Sequence, residues 1–114
     1  MENCLFCKIA NGEIPSKKAY EDDTVLAFYD IEPQAPVHVL IVPKKHYTSV
    51  MDIESADQAL LSHMIEIAQK LAKELGVSKD GFRLVINTGE NGGQSVPQLH
   101  IHLLGGRKFG WPAG

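Results

Sequence analysis

His100 and His102 stand two residues apart within Pro97-Gln98-Leu99-His100-Ile101-His102-Leu103-Leu104-Gly105-Gly106. Imidazole titrates near neutrality, so two rings fixed side by side can serve as nucleophile, proton carrier or metal ligand. Branched apolar residues alternate with them. On a β-strand successive side chains point to opposite faces, so the pattern predicts Leu99, Ile101 and Leu103 in the core and Gln98, His100 and His102 on the other face. Just upstream lies a polar loop, Asn87-Thr88-Gly89-Glu90-Asn91-Gly92-Gly93-Gln94-Ser95. Gly92-Gly93 lets backbone approach a ligand, and consecutive N–H groups in such turns form an anion-binding concavity. Ser95 adds a hydroxyl and Asn87 a carboxamide at its edges. Phosphate held beside a histidine nucleophile is coherent chemistry, because covalent attack splits one hard displacement into two easier ones. Alone, the loop reads first as an ordinary hairpin connection, and the histidines read equally as partly buried structural groups. Their conjunction is the informative signal.

The elements that must position these groups follow from the pattern. Leu5, Phe6, Ile9 and Ala10 suit a short helix over 4–10, stopped at Asn11-Gly12. Lys18-Ala19-Tyr20 and the run 24–29 read as two strands around the acidic turn Glu21-Asp22-Asp23. Pro33 and Pro36 enforce a loop, and 37–42 reads as a central strand stopped by Pro43. Ser55 and Gln58 suggest a capping box. Leu60, Leu61, Met64, Ile65, Ile67, Ala68, Leu71 and Leu75 then form a broad helical stripe that ends at Gly76. Residues 82–86 give another strand before the loop. The expected class is α+β: a mainly antiparallel sheet with the helices packed on one side.

Composition bounds the function. The chain has 114 residues, 44% of them apolar, which suits one domain over 1–114. A net charge of −3 gives no bulk attraction to nucleic acid or to an anionic membrane. No apolar run approaches the roughly 20 residues of a membrane span, and no basic-then-apolar leader is seen. The two cysteines, Cys4 and Cys7, are spaced as a metal clip or reduced thiols rather than as a disulfide scaffold, and the expected setting is the cytoplasm.

With these residues in view, the chain resembles the histidine triad (HIT) family, and within it the Hint branch of purine nucleoside phosphoramidases. The resemblance runs through Phe6-Cys7-Lys8-Ile9, Gly12-Glu13-Ile14-Pro15, Tyr20-Glu21-Asp22-Asp23 and Leu26-Ala27-Phe28. It continues through Asp30-Ile31, Pro33-Gln34-Ala35-Pro36-Val37-His38 and Val42-Pro43-Lys44-Lys45-His46. It closes with Gly92-Gly93-Gln94-Ser95-Val96, the histidine run and the tail 105–112.

The resemblance implies a HIT-like fold, with one long and one short helix on a five-stranded sheet and a homodimer whose sheet has ten strands. It implies hydrolysis of purine nucleoside 5′-phosphoramidates, with His100 attacking the α-phosphorus to form a nucleotidyl-histidine. His102, Asn87, Ser95 and backbone near Gly93 and Gln94 would contact the phosphate, and Ser95 or His102 would protonate the departing amine. Asp30 matches the ribose-binding carboxylate. Leu5, Phe6, Ile9, Phe28 and Ile31 match the slot around the purine, although core packing is their ordinary reading. Trp111 matches a tail residue that reaches the neighbouring protomer's site in some relatives. His38 takes a supporting role in the site.

Gln98 departs from the family pattern, which places a histidine there. The main-chain carbonyl that orients the nucleophile survives the change, whereas a proton network through that first imidazole does not. The catalytic chemistry needs no cofactor. In zinc-bearing relatives a Cys-x-x-Cys pair joins histidines at positions 46 and 98, so Cys4, Cys7 and His46 leave a structural zinc open with Gln98 at the fourth position. His63, Lys44, Lys45 and Lys17-Lys18 read as surface residues. Two other functions compete: dinucleoside polyphosphate hydrolysis, and a non-catalytic purine-nucleotide-binding dimer.

Overall fold

A computed structural model describes residues 4–114. Five strands form one sheet: β1 Lys18–Glu21, β2 Val25–Tyr29, β3 Val37–Pro43, β4 Phe82–Val85 and β5 Ile101–Gly105. Their spatial order is β1-β2-β3-β5-β4, and every neighbouring pair is antiparallel. β2 and β3 are apolar without alternation, and such strands require cover on both faces.

The two helices supply that cover from opposite sides, which corrects the one-sided packing expected from sequence. α2, Gln58–Glu74, places Met64, Ile67, Ala68, Leu71 and Ala72 against Val25, Ala27, Val39, Ile41, Ile101 and Leu103. Fully burying a side chain of Met, Ile or Leu size contributes about 1.5–3 kcal/mol, so this face carries most of the stability. α1, Leu5–Ala10, lies on the other side, where Phe6 and Ala10 pack with Leu26, Phe28, Leu40 and Val42. At six residues α1 is too short to hold itself together, so its packing must do so.

The entry to α2 also differs from expectation. The capping box forms between Glu54 and Asp57, around a short 3-10 turn at Ser55–Asp57. The helix ends at Leu75, after which Gly76 takes φ +75°, a value that favours glycine.

The histidine strand is shorter than its sequence pattern. The ladder with β3 runs from Ile101↔Ile41 to Gly105↔Val37. Within it the alternation holds, with Ile101 and Leu103 buried and His102 half-buried on the α1 side. Residues 98–100 precede the ladder in irregular backbone, and Gln98, Leu99 and His100 are all buried. The expected facing holds even so: Leu99 joins Ile101 and Leu103 in the core, while His100 lies beside His102 and against Phe6 on the α1 side.

Candidate active site

Register brings the histidines together. Opposite residues on antiparallel strands share a face, and the pairs Leu40↔His102 and His38↔Leu104 put His38 and His102 on the α1 side of the sheet. Their rings meet with His38 Nε2 2.9 Å from His102 Nδ1. His100 lies beside them, its ring centroid 4.9 Å from that of His102. Phe6 of α1 packs edge-on against His100, with ring centroids 4.7 Å apart.

The hydrogen bonds fix where each proton sits. His100 Nδ1 is 2.7 Å from the Gln98 carbonyl, an acceptor only, so Nδ1 carries the proton and the Nε2 lone pair is free. The Gln34 main-chain N–H donates to His38 Nδ1 at 3.1 Å. In its neutral form His38 must then hold its proton on Nε2 and donate to His102 Nδ1, leaving His102 with an Nε2–H. A single backbone amide in a loop thus sets the tautomers of two rings. Asp30 adds negative charge, its Oδ2 3.5 Å from His38 Nε2, and its Oδ1 accepts from the Glu32 N–H at 2.8 Å.

Burial pushes all three imidazoles below their ordinary value. For His100 it outweighs the Gln98 carbonyl and the Asp30 charge, both of which favour the cation. For His102, burial and then the neighbouring His100 and His38 bring the pKa down to about 4, against the opposing pull of Asp30. For His38, burial outweighs Asp30. At neutral pH the cluster is uncharged, the state in which a histidine is nucleophilic.

Beside this cluster opens a cavity of about 720 Å³. Leu5, Phe6, Ile9, Phe28, Asp30, Ile31, His38, Ser95 and His102 line it, so most of the candidate residues converge on one space. Its apolar end is walled by α1 and Phe28, and its polar end by Asp30 and the histidines. Ile31, 94% exposed, marks the open rim. Sequence reasoning missed Ile14, Pro15, Ser16 and Lys17, which complete the wall in the extended stretch after α1. The Gln34 N–H was also missed, because no side-chain pattern reports a main-chain donor.

The glycine loop does less than expected. The N–H groups of Gly93 and Gln94 donate to Glu90 and Gly89 carbonyls, closing the loop on itself instead of facing the cavity. The Gln94 side chain braces it, donating to Thr48 and Val96 carbonyls and accepting from the Gly89 N–H. A side chain at Gly92 would collide with the Thr88 main chain, so close packing keeps this residue glycine. Asn87, Gly93, Gln94 and His100 are not among the cavity-lining residues, and His100 is 4% exposed. Trp111 is exposed on the tail, and His63 pairs with Asp22 away from the site.

Cys4, Cys7 and His46 also converge, with one donor atom from each within 4.8 Å of the others. Cys4 and Cys7 are joined as a disulfide, where the sequence predicts a metal clip or reduced thiols. Cys4 caps α1 and Cys7 lies three residues on, which sets their Cα atoms 5.2 Å apart, within disulfide reach. His46 Nδ1 is 3.1 Å from Cys7 Sγ. Gln98 offers no fourth ligand: its side-chain oxygen accepts from the Tyr47 N–H and its nitrogen donates to the Pro43 and Lys45 carbonyls. This donor set does not fit a closed four-ligand zinc site.

A five-stranded antiparallel sheet, two unequal helices and clustered histidines beside a mixed polar and apolar cavity define a recognisable class. The chain belongs to the HIT domain family, whose pattern matches residues 11–109. It is 47% identical over 109 residues to the purine nucleoside phosphoramidase of Escherichia coli K12, covering 96% of this chain and 92% of that protein. An uncharacterized HIT-like protein of Synechocystis is 50% identical over 113 residues, 99% of this chain and 98% of that one. Among solved structures, a HIT family hydrolase from Legionella pneumophila superposes with a TM-score of 0.96 at 53% identity, covering 98% and 100% of the two chains. A histidine triad protein from Clostridium difficile gives 0.93 at 53% identity, with 96% of each covered.

Proposed function

We propose that the chain hydrolyses the P–N bond of purine nucleoside 5′-phosphoramidates, aminoacyl-adenylate-like compounds included, through a nucleotidyl intermediate on His100. The observation that carries this reading is the His100 Nδ1–Gln98 carbonyl bond of 2.7 Å, which leaves an unprotonated Nε2 on a neutral ring. In the first step Nε2 attacks the α-phosphorus and the P–N bond to the leaving amine breaks. The amine takes a proton from the Ser95 hydroxyl or the His102 Nε2–H. In the second step water attacks phosphorus, the bond to His100 breaks, and the water's proton replaces the one given up. The products are an amine and a nucleoside 5′-monophosphate.

The cavity suits that substrate. The purine would lie between Leu5, Phe6, Ile9 and Phe28, and the ribose hydroxyls would donate to Asp30, as a carboxylate accepts well. The phosphate would meet His102 Nε2–H and Ser95. The Ser95 and Val96 N–H groups have no partner among the described residues and would be free to serve it, whereas those of Gly93 and Gln94 are engaged within their own loop. The 47% identity to the Escherichia coli phosphoramidase supports this substrate class. The same reading places the protein in the cytoplasm as a homodimer, with the sheets of two copies continuing into ten strands.

Brief mixing with an adenosine phosphoramidate, followed by mass spectrometry, tests the mechanism. A nucleotidyl mass on the peptide containing His100, with a burst of amine, is expected. Nucleotide binding without a burst, at a rate equal to that of His100→Ala, would leave a nucleotide-binding dimer instead.

A further inference from the structure

We infer that Gln98 is a positioning residue: its carboxamide, in place of a metal ion, ties the segment bearing the nucleophile to the turn at 43–47 and so fixes the carbonyl that orients His100. The inference rests on the reading of His100 as nucleophile given above.

His100 lies one residue before β5, outside the ladder that holds His102. No cross-strand pairing fixes its backbone, so other bonds must. The Leu99 N–H donates to the Tyr47 carbonyl at 2.7 Å, and the Gln98 side chain, 1% exposed, makes three more bonds to the same turn. Its Oε1 accepts from the Tyr47 N–H at 2.9 Å, and its Nε2 donates to the Pro43 and Lys45 carbonyls at 3.0 Å each. The main-chain carbonyl of this same residue receives the His100 Nδ1–H. Anchoring the Gln98 side chain therefore anchors the atom that sets the nucleophile's tautomer.

The chemistry of the position is selective. The turn presents two acceptors and one donor. A primary amide supplies two donors and one acceptor, whereas a neutral imidazole has one of each and a carboxylate has no donor. Glutamine matches the turn, and its amide nitrogen has no lone pair to give a metal. The amide does not titrate, so this tether is indifferent to pH. The histidine that zinc-bearing relatives carry here would act as a ligand; glutamine substitutes hydrogen bonds to the same stretch of backbone that carries His46.

Gln98→Met keeps the chain length and volume but removes all three bonds. The experiment compares wild type, Gln98→Met and Gln98→His for zinc content, steady-state turnover of an adenosine phosphoramidate and the ring-nitrogen NMR spectrum of His100. Wild type is expected without stoichiometric zinc, unaffected by EDTA, and with a single Nδ1–H tautomer at His100. Gln98→Met is expected to lose about 10–100-fold in kcat at nearly unchanged KM, as small misplacements of a reacting group do, and to show mixed tautomers. Gln98→His, with its cysteines reduced, should take up about one zinc per chain and recover the wild-type tautomer and kcat only then. Should Gln98→Met fail to fold, the Gln98→His comparison with and without zinc decides the question. Wild-type kcat and tautomer in Gln98→Met, or a His100 spectrum in Gln98→His unchanged by zinc, would overturn the inference. So would a wild type that carries stoichiometric zinc and loses turnover with it. The NMR readout needs no turnover, so a wild type inactive on phosphoramidates would refute the proposed reaction while leaving this test intact.

Discussion

The two faces of the sheet are built from the same strands and do opposite work. On one face a helix of 17 residues lays Met64, Ile67 and Leu71 over Val25, Val39, Ile41, Ile101 and Leu103, leaving an apolar, closed core. On the other, a helix of six residues covers Leu26, Phe28, Leu40 and Val42 and packs Phe6 on His100, leaving His102 and His38 to line the cavity. The uncovered remainder of that second face is the cavity. Stability is concentrated where the cover is complete, and chemistry where it is incomplete. Among the described residues every fully buried side-chain nitrogen or oxygen has a hydrogen-bond partner, and the Nε2 atoms of His100 and His102 are left for a ligand.

Four experiments would break or sharpen this contrast. The largest effect is expected from His100→Ala, which should lower kcat/KM for an adenosine phosphoramidate by on the order of 10³-fold or more. AMP affinity, followed by calorimetry, should stay within a few-fold, because the phosphate would keep its contacts to His102 and Ser95 and the purine its apolar slot. Retained turnover in that variant would remove the nucleophile from the open face altogether.

Next come two core truncations. Leu71→Ala on the closed face should cost about 2–5 kcal/mol in urea unfolding, with AMP affinity unchanged. Phe28→Ala on the open face should cost a similar amount, about 3–5 kcal/mol, and should weaken AMP binding as well, since Phe28 both packs the core and lines the cavity. Equal loss of affinity in both variants would erase the distinction between the faces.

His38→Ala is expected to act more gently. Without it the Gln34 amide no longer dictates the proton on His102, and kcat should fall by about 10–100-fold with little change in KM. An unchanged rate would mean that the chain of tautomers from Gln34 carries no mechanistic weight.

The last effect leaves turnover aside and concerns pH. In the folded state His102 stays neutral down to about 4, whereas an unperturbed histidine takes its proton near 6.5. Between those values the unfolded chain binds more protons, so stability rises with pH across the window and is lost as pH falls from 6.5 toward 4. His100 and His38 are lowered in the same direction and add to the slope. Thermal unfolding measured across that range should show it, and His102→Gln should flatten the curve in part. A curve already flat in wild type would show that the rings are not held neutral by burial.

Much of the fold is legible in the sequence. The period of the α2 stripe and the apolar runs of β2 and β3 are strong local signals, and four strands end within a residue of expectation, while β5 starts three residues late at Ile101. Glu54 escaped as a cap partner because Ser55-Gln58 mimics the same spacing one residue later. The one-sided helix arrangement failed for a different reason. Leu26, Phe28, Leu40 and Val42 demanded a second cover, and Phe6 with Ala10 was a short and weak signal that it existed.

The site divides along a similar line. Sequence alone determined its chemical inventory: two closely spaced histidines, a third after a proline-bounded loop, a carboxylate at Asp30, and an amide at Gln98. These are properties of side chains, and side chains are written in the sequence. Tertiary structure decided their protonation and use. The Gln34 N–H, the Gln98 carbonyl and the Pro43 and Lys45 carbonyls are main-chain groups, identical at every position in the sequence, and only folding determines which imidazole or amide they meet. It also decided that the Gly93 and Gln94 amides face inward. A hydrogen bond's donor can be named from a sequence; its direction depends on the path of the backbone.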